Sequence, residues 1–201
     1  GVAKTTTALA LGHGLASFGK KILLIDFDPQ GSLTTFLGYD TSDVPTVIEW
    51  LGVQRKHVAA FEDVVLNVND NLDLIPSDIS LEEAPGYLYS KPGGHGYLLS
   101  VISKIKNRYD YIIIDTSPSL NILTINALVA ADELIVPFKP EVGSVKGISL
   151  LLDTIQDVRV LNRSIKIDGF IVVMADKRRK QALKENLDYI RNVARENDTK
   201  V

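Results

Sequence analysis

Lys4, followed by Thr5 and Thr6 and preceded by the small residues Gly1, Val2 and Ala3, is the first group in this chain with the makings of a chemical site. Holding a phosphate takes backbone N–H groups that close around it, and only small side chains allow that approach. It also takes a lysine to reach the β and γ oxygens, a hydroxyl for Mg2+, and a helix N-terminus facing the negative charge. GVAKTTT meets these needs as the second half of a phosphate-binding loop. Gly1 to Thr6 would form the cradle, with Lys4 on the phosphates and Thr5 on the metal. A threonine-rich helix start with an incidental lysine has the same residues, so the stretch needs support from elsewhere.

That support is acidic. Ile22–Ile25 is a continuous apolar run, the mark of a strand buried on both faces of a parallel sheet, and it ends in Asp26-Phe27-Asp28-Pro29-Gln30-Gly31. Tyr111–Ile114 is a second such run, closed by Asp115 and followed by Thr116-Ser117-Pro118-Ser119-Leu120. Carboxylates at the C-terminal ends of buried parallel strands sit where open α/β sheets build their ligand sites, and an aspartate closing the second strand suits Mg2+. Alone, a D-x-D reads more readily as a loop with two solvated aspartates.

The elements that must carry these groups alternate. Thr5–Phe18 reads as a helix ended by Gly19, with His13 a surface or packing residue on it; Val47–Leu51 is a short helix and Leu72–Ile75 a strand ending in PSD. Pro85, Pro92 and Gly93-Gly94-His95-Gly96 mark loops, and no lysine or hydroxyl on a following helix makes the glycines a second phosphate loop. Helices are expected over Tyr97–Asn107, Ser119–Ala131 and the apolar periodicity Val145–Val158, with strands at Leu134–Val136 and, buried, at Gly169–Met174. Lys177, Arg178, Arg179 and Lys180 then open a charged helix. Such a run is ordinarily a solvated face, and Glu185, Asp188 and Glu196 balance it. The pattern is α/β, with a mostly parallel twisted sheet and helices on both faces.

With 201 residues and 45% hydrophobic content, the chain can bury one substantial core, so a single domain over 1–201 is the expectation. A net charge of −3 means that any nucleic-acid contact must come from a local basic patch. The absence of cysteine excludes disulfides, thiolate metal sites and iron–sulfur clusters. No stretch has the layout of a secretion signal, and the longest apolar region, Ile122–Phe138, is interrupted by Asn126, Asp132 and Glu133. A soluble cytoplasmic protein is expected.

The ordered set GVAKTTT, DFDPQG and IIIDTSPSL resembles the ParA/MinD family of P-loop ATPases, and its ParA/Soj-type partition members in particular. The loop spacing is similar to the deviant K-G-G-V-x-K-T-[ST] pattern. The resemblance implies a P-loop NTPase-like fold whose first strand and signature lysine lie before Gly1 and whose C-terminal segment lies beyond Val201. It implies ATP and Mg2+, an ATP-dependent homodimer, non-specific DNA binding, slow hydrolysis stimulated by a ParB-like partner, and a nucleoid-associated protein that needs no membrane. Asp28 falls on the aspartate that positions the attacking water, Asp115 on the one that reaches Mg2+ through water, and Asp26 on a structural position or an outer partner of the metal. Arg178 matches an arginine of the DNA-gripping surface, with Lys177, Arg179 and Lys180 beside it. Ala3, Ser32 and Ser117 replace the family's usual glycine, asparagine and proline. A MinD-like or cargo-positioning ATPase is the nearest alternative. A non-hydrolysing nucleotide-controlled scaffold is another, against which intact Lys4, Thr5, Asp28 and Asp115 argue.

Overall fold

The computed structural model describes residues 2–53, 58–141, 143–175, 178 and 180–201. They form two compact units, one of Thr5–Ala130 and one of Ala131–Val201 with Gly1–Lys4.

In the larger unit, which takes helix α1 (Lys4–Ser17) from Thr5 onward, the chain runs on into strand β1 (Ile22–Phe27), helices α2 (Ser32–Phe36), α3 (Val47–Trp50) and α4 (Phe61–Val64), and strands β2 (Leu66–Asn69) and β3 (Leu72–Ile75). Helices α5 (Ala84–Tyr89) and α6 (Tyr97–Ile105), strand β4 (Tyr111–Thr116) and helix α7 (Ile122–Ala130) complete it. The strands form one sheet in the order β2-β3-β1-β4. β1 is parallel to both neighbours, and β2 is an antiparallel edge.

β1 is buried along its whole length, which explains its unbroken apolar run. Its side chains alternate between two cores. Ile22 and Leu24 face a layer with Ala16 of α1, Leu33, Leu72 and Leu74. Leu23, Ile25 and Phe27 face a larger one with α3 to α7, including Ile48, Phe61, Leu88, Ile102 and Leu123. Helices therefore cover both faces, and each fully buried Leu or Ile contributes about 2 kcal/mol against exposure. The glycine cluster is a tight turn: a Cβ on Gly94 would lie 1.9 Å from the Leu88 carbonyl oxygen. Asn126 of α7, wholly buried, donates to Gly94 O (2.9 Å) and accepts from Leu98 N (3.1 Å), fixing the start of α6.

The smaller unit pairs strand β5 (Glu133–Phe138) in parallel with strand β6 (Lys166–Val172), alongside helices α8 (Ser144–Val158) and α9 (Lys180–Glu196). Val136, Phe138, Ile148, Ile155, Ile167, Phe170, Ile190 and Val193 make its core.

Most expected elements are present within a few residues of their expected ends. α6 stops at Ile105 and α7 starts at Ile122, where Asn121 Oδ1 accepts from Leu123 N at 2.9 Å and caps it. β2 has no counterpart among the expected elements. Two expectations change: Pro137 lies inside β5 and not at its end, and the last strand begins at Lys166. That strand is also only half-buried: Lys166, Asp168 and Ile171 are exposed, and Met174 lies beyond it.

Candidate functional site

α1 is antiparallel to β1, as a short connection requires. A Schellman turn closes the helix, with Gly19 N donating to Ala16 O (2.9 Å) and Lys20 N to Leu15 O (3.2 Å) at a Gly19 φ of 77°. Ala16 packs with Ile22 and Leu24 in one core layer, and a Cβ on Gly12 would meet Leu24 at 2.8 Å. Helix and strand have similar lengths (14 residues at about 1.5 Å, 6 at about 3.3 Å), so Thr5 and Thr6, in the first turn of α1, lie at the edge where β1 ends.

At that edge β1 and β4 end on carboxylates in register, Asp26 beside Asp115. Their residues are 0% and 3% exposed, so two acids are buried side by side. Asp26 is held by three donors: Thr34 N (2.9 Å) and Thr34 Oγ1 (2.8 Å) on Oδ2, and Asp28 N (3.3 Å) on Oδ1. Burial outweighs these bonds and pushes its carboxyl up to about 6, with the Asp115 charge adding to the rise.

Asp28 stands one turn of loop further out and is half-buried. Its Oδ1 accepts from Gln30 N at 3.0 Å, and its carbonyl accepts from Gly31 N at 2.9 Å and from Ser77 Oγ at 3.0 Å. Gly31 carries φ 58°, and a Cβ there would lie 2.7 Å from Ser77 O. After β4, Ser117 Oγ and Ser119 Oγ are 2.9 Å apart, a polar link where Ser117 removes a proline's restraint. Thr124 Oγ1 donates to Ser119 O (2.5 Å), tying this loop to α7.

Lys4 is the first residue of α1. Ala3 before it adopts φ 54°, the left-handed region where a Cβ costs roughly 1–2 kcal/mol and a glycine costs nothing. Val2 is described, whereas Gly1 lies outside the described residues, as do Lys177 and Arg179. Arg178 is exposed in a turn and Lys180 opens α9. The structure thus brings Thr5, Thr6, Asp28 and Asp115 to one edge of the larger sheet. It also adds Thr34 and Ser77, which sequence reasoning passes over. The PSD after β3 and the Thr34-Thr35 pair were the visible signals for them, but neither matches a motif.

The donors at this edge are carboxylates and threonine hydroxyls, hard oxygen ligands suited to Mg2+ and unsuited to soft metals. Among the described residues no group of three or more His, Cys, Asp or Glu side chains forms a self-contained metal site. A cation here would complete its shell with water and phosphate oxygens, which is how Mg2+ is usually held.

A family model described as an AAA domain matches residues 1–167. The sporulation initiation inhibitor protein Soj of Bacillus subtilis is 38% identical over 196 residues, covering 96% of this chain and 77% of its own. The fold is similar to that of Cyanothece McdA, solved as an aspartate-to-alanine variant with ATP, at a TM-score of 0.86 and 30% identity, over 99% of this chain and 77% of that one. A Mycobacterium smegmatis structure described as cobyrinic acid a,c-diamide synthase with ADP and magnesium gives a TM-score of 0.86 at 32% identity, covering 96% and 77%. With the P-loop half-motif, the paired strand-end aspartates and these likenesses together, the chain belongs to the ParA/Soj family of P-loop partition ATPases.

Proposed function

We propose that this chain is the ATPase body of a DNA-segregation machine, which binds Mg-ATP, dimerises on it and hydrolyses it slowly. The observation that carries the reading is the common edge: α1 starts, and β1 and β4 end on buried acids, at one side of one sheet. In this reading the backbone of Gly1 to Thr6 and the Lys4 ammonium bind the β and γ phosphates. The Thr5 hydroxyl, and Asp115 through water, hold the metal. Bound Mg2+ supplies charge neutralisation across the phosphates. Asp28 orients the attacking water in line with the scissile bond, held there by its loop. The 116–120 segment, continuous with Asp115 and tied to α7, reports the state of the phosphates to the helical layer.

Positioning and electrostatics alone suit slow turnover that a partner accelerates, as a timer requires. The finer parts of the proposal are a homodimer around two nucleotides, non-specific DNA binding by the ATP form through Lys177, Arg178, Arg179 and Lys180, and a ParB-like centromere-binding partner. Such a protein works in the cytoplasm on the nucleoid. Among the described residues no helix is long and apolar enough to cross a membrane.

The test uses the full-length protein. Lys4→Ala should abolish Mg-ATP binding in a calorimetric titration. Asp28→Ala should keep binding and dimerisation while turnover drops about 10²–10⁴-fold, the usual range for a lost water-positioning group. Tight Mg-dependent binding of a ligand that is not a nucleotide would overturn the reading. ATP-dependent assembly with no turnover, even with the partner present, would make the protein a scaffold.

A further inference from the structure

The loop that carries Asp28 is not held by its own strand alone. It rests on the segment after β3, the neighbour of β1 in the sheet. Ser77, only 1% exposed, holds both this loop and helix α2 that follows it. Its hydroxyl donates to the Asp28 carbonyl (3.0 Å) and its N–H donates to Thr34 Oγ1 (3.0 Å). Its carbonyl lies so near Gly31 that only a glycine fits there. Thr34 passes the restraint on, donating its hydroxyl and N–H to Asp26. The segment is itself fixed, because Val47 N donates to Pro76 O at 2.9 Å.

The geometry points to Ser77 as a positioning residue for Asp28: with Thr34 and Asp26 it clamps the loop so that the Asp28 carboxylate keeps one orientation. This rests on the water-orienting reading of Asp28. The chemistry favours a clamp over a mere structural bond. Asp28 is half-exposed, and among the described residues its carboxylate is held within the loop by the Gln30 N–H alone. A carboxylate held that lightly takes its aim from the backbone beneath it, and Ser77 fixes that backbone on the far side. Displacements near 1 Å at a reacting group cost up to about 10²-fold in rate. The clamp should therefore act on kcat and leave phosphate binding unaffected.

The test compares Ser77→Ala, the volume-keeping Ser77→Cys, Gly31→Ala and Asp28→Ala in the full-length protein. Thermal unfolding establishes that each is folded. Ser77→Ala should lower kcat about tenfold or more, with KM and ATP affinity within about twofold of wild type. Gly31→Ala, which drives a Cβ into the Ser77 carbonyl from the other side, should do the same. Ser77→Cys should fall between. In an Asp28→Ala background, Ser77→Ala should cost nothing further, because its target is already gone. Hydrogen exchange at the Gln30 and Gly31 amides should quicken in Ser77→Ala with or without nucleotide. Wild-type kcat in Ser77→Ala beside an inactive Asp28→Ala would overturn the clamp, as would multiplicative losses in the double variant. Full turnover in Asp28→Ala would instead overturn the water-orienting reading. In that case unchanged amide exchange in Ser77→Ala would overturn the clamp as well.

Discussion

Asp26 and Asp115 are lateral neighbours on adjacent parallel strands, each at the point where its strand leaves the sheet. Two acids side by side in a buried layer would ordinarily be a fault in a fold. Here one of them, Asp26, accepts from Thr34 N, Thr34 Oγ1 and Asp28 N and is turned towards its own loop.

That division predicts a pH signature in the metal-free protein. The Asp26 carboxyl rises from an unfolded value of 3.8 to about 6, so its protonated form is favoured by folding. Its contribution is fully present below the unfolded value and is lost as pH climbs through about 6. Asp26→Asn keeps an acceptor for Thr34 and removes the titration. Between pH 4 and pH 7 the variant's stability should therefore gain on wild type by on the order of 3 kcal/mol. Urea unfolding at four pH values across that window measures it. Parallel curves would mean that burial does not burden this group.

Ala3 supplies a second prediction, from backbone strain. Its φ of 54° suits glycine, and Ala3→Gly relieves the Cβ cost while adding roughly 0.4–1 kcal/mol of unfolded-chain entropy. The two nearly offset, so stability should move by less than about 1 kcal/mol. Ala3→Val adds β-branching to the same conformation and should weaken ATP binding at least tenfold, because the loop can relax only by leaving its left-handed turn. ATP affinity by titration, beside a thermal melt, separates the two effects. Equal affinity for the valine and glycine variants would show that the loop reshapes freely.

What could be read from the sequence followed from burial. β1 is an apolar run because it is covered on both faces, Tyr111–Ile114 of β4 is a second run, and the aspartates that close these two runs, Asp26 and Asp115, stand out against them. β2 escaped notice because LNVN is a short edge with alternating exposure, half of it polar. β6 was misplaced because its hydrophobic residues alternate with Lys166, Asp168 and Gly169, and a register shift between Leu134 and Ile135 in β5 breaks the matching pattern. Asp28, Lys4 and Thr5 belong to local motifs and were legible. The Ser77–Thr34 bond spans 43 residues of chain and has no local pattern, so only the sheet order that places β3 beside β1 reveals it.

The remaining prediction concerns the basic run. Arg178 is exposed in the turn before α9, and Lys180 is the first residue of that helix. Further along α9, Arg191 lies 3.3 Å from Asp188 and so has an internal counter-ion. In the sequence four basic residues, 177 to 180, lead into this helix. If that start grips DNA, lysine and arginine on phosphate give affinity without sequence preference, which suits a carrier that moves over a whole nucleoid. Doubling the patch in an ATP dimer would make binding dependent on nucleotide. Each phosphate contact also releases counterions, so log affinity falls with log salt by about 0.9 per contact. Arg178→Glu with Arg179→Glu should remove ATP-dependent DNA binding and flatten the slope by roughly 3 to 4 if both arginines of both subunits reach phosphate. ATP binding and dimerisation should be unchanged. A DNA-shift titration of the full-length double variant at two salt concentrations decides it. Unchanged affinity and slope would show that the run is a solvated helix start and that DNA is held elsewhere.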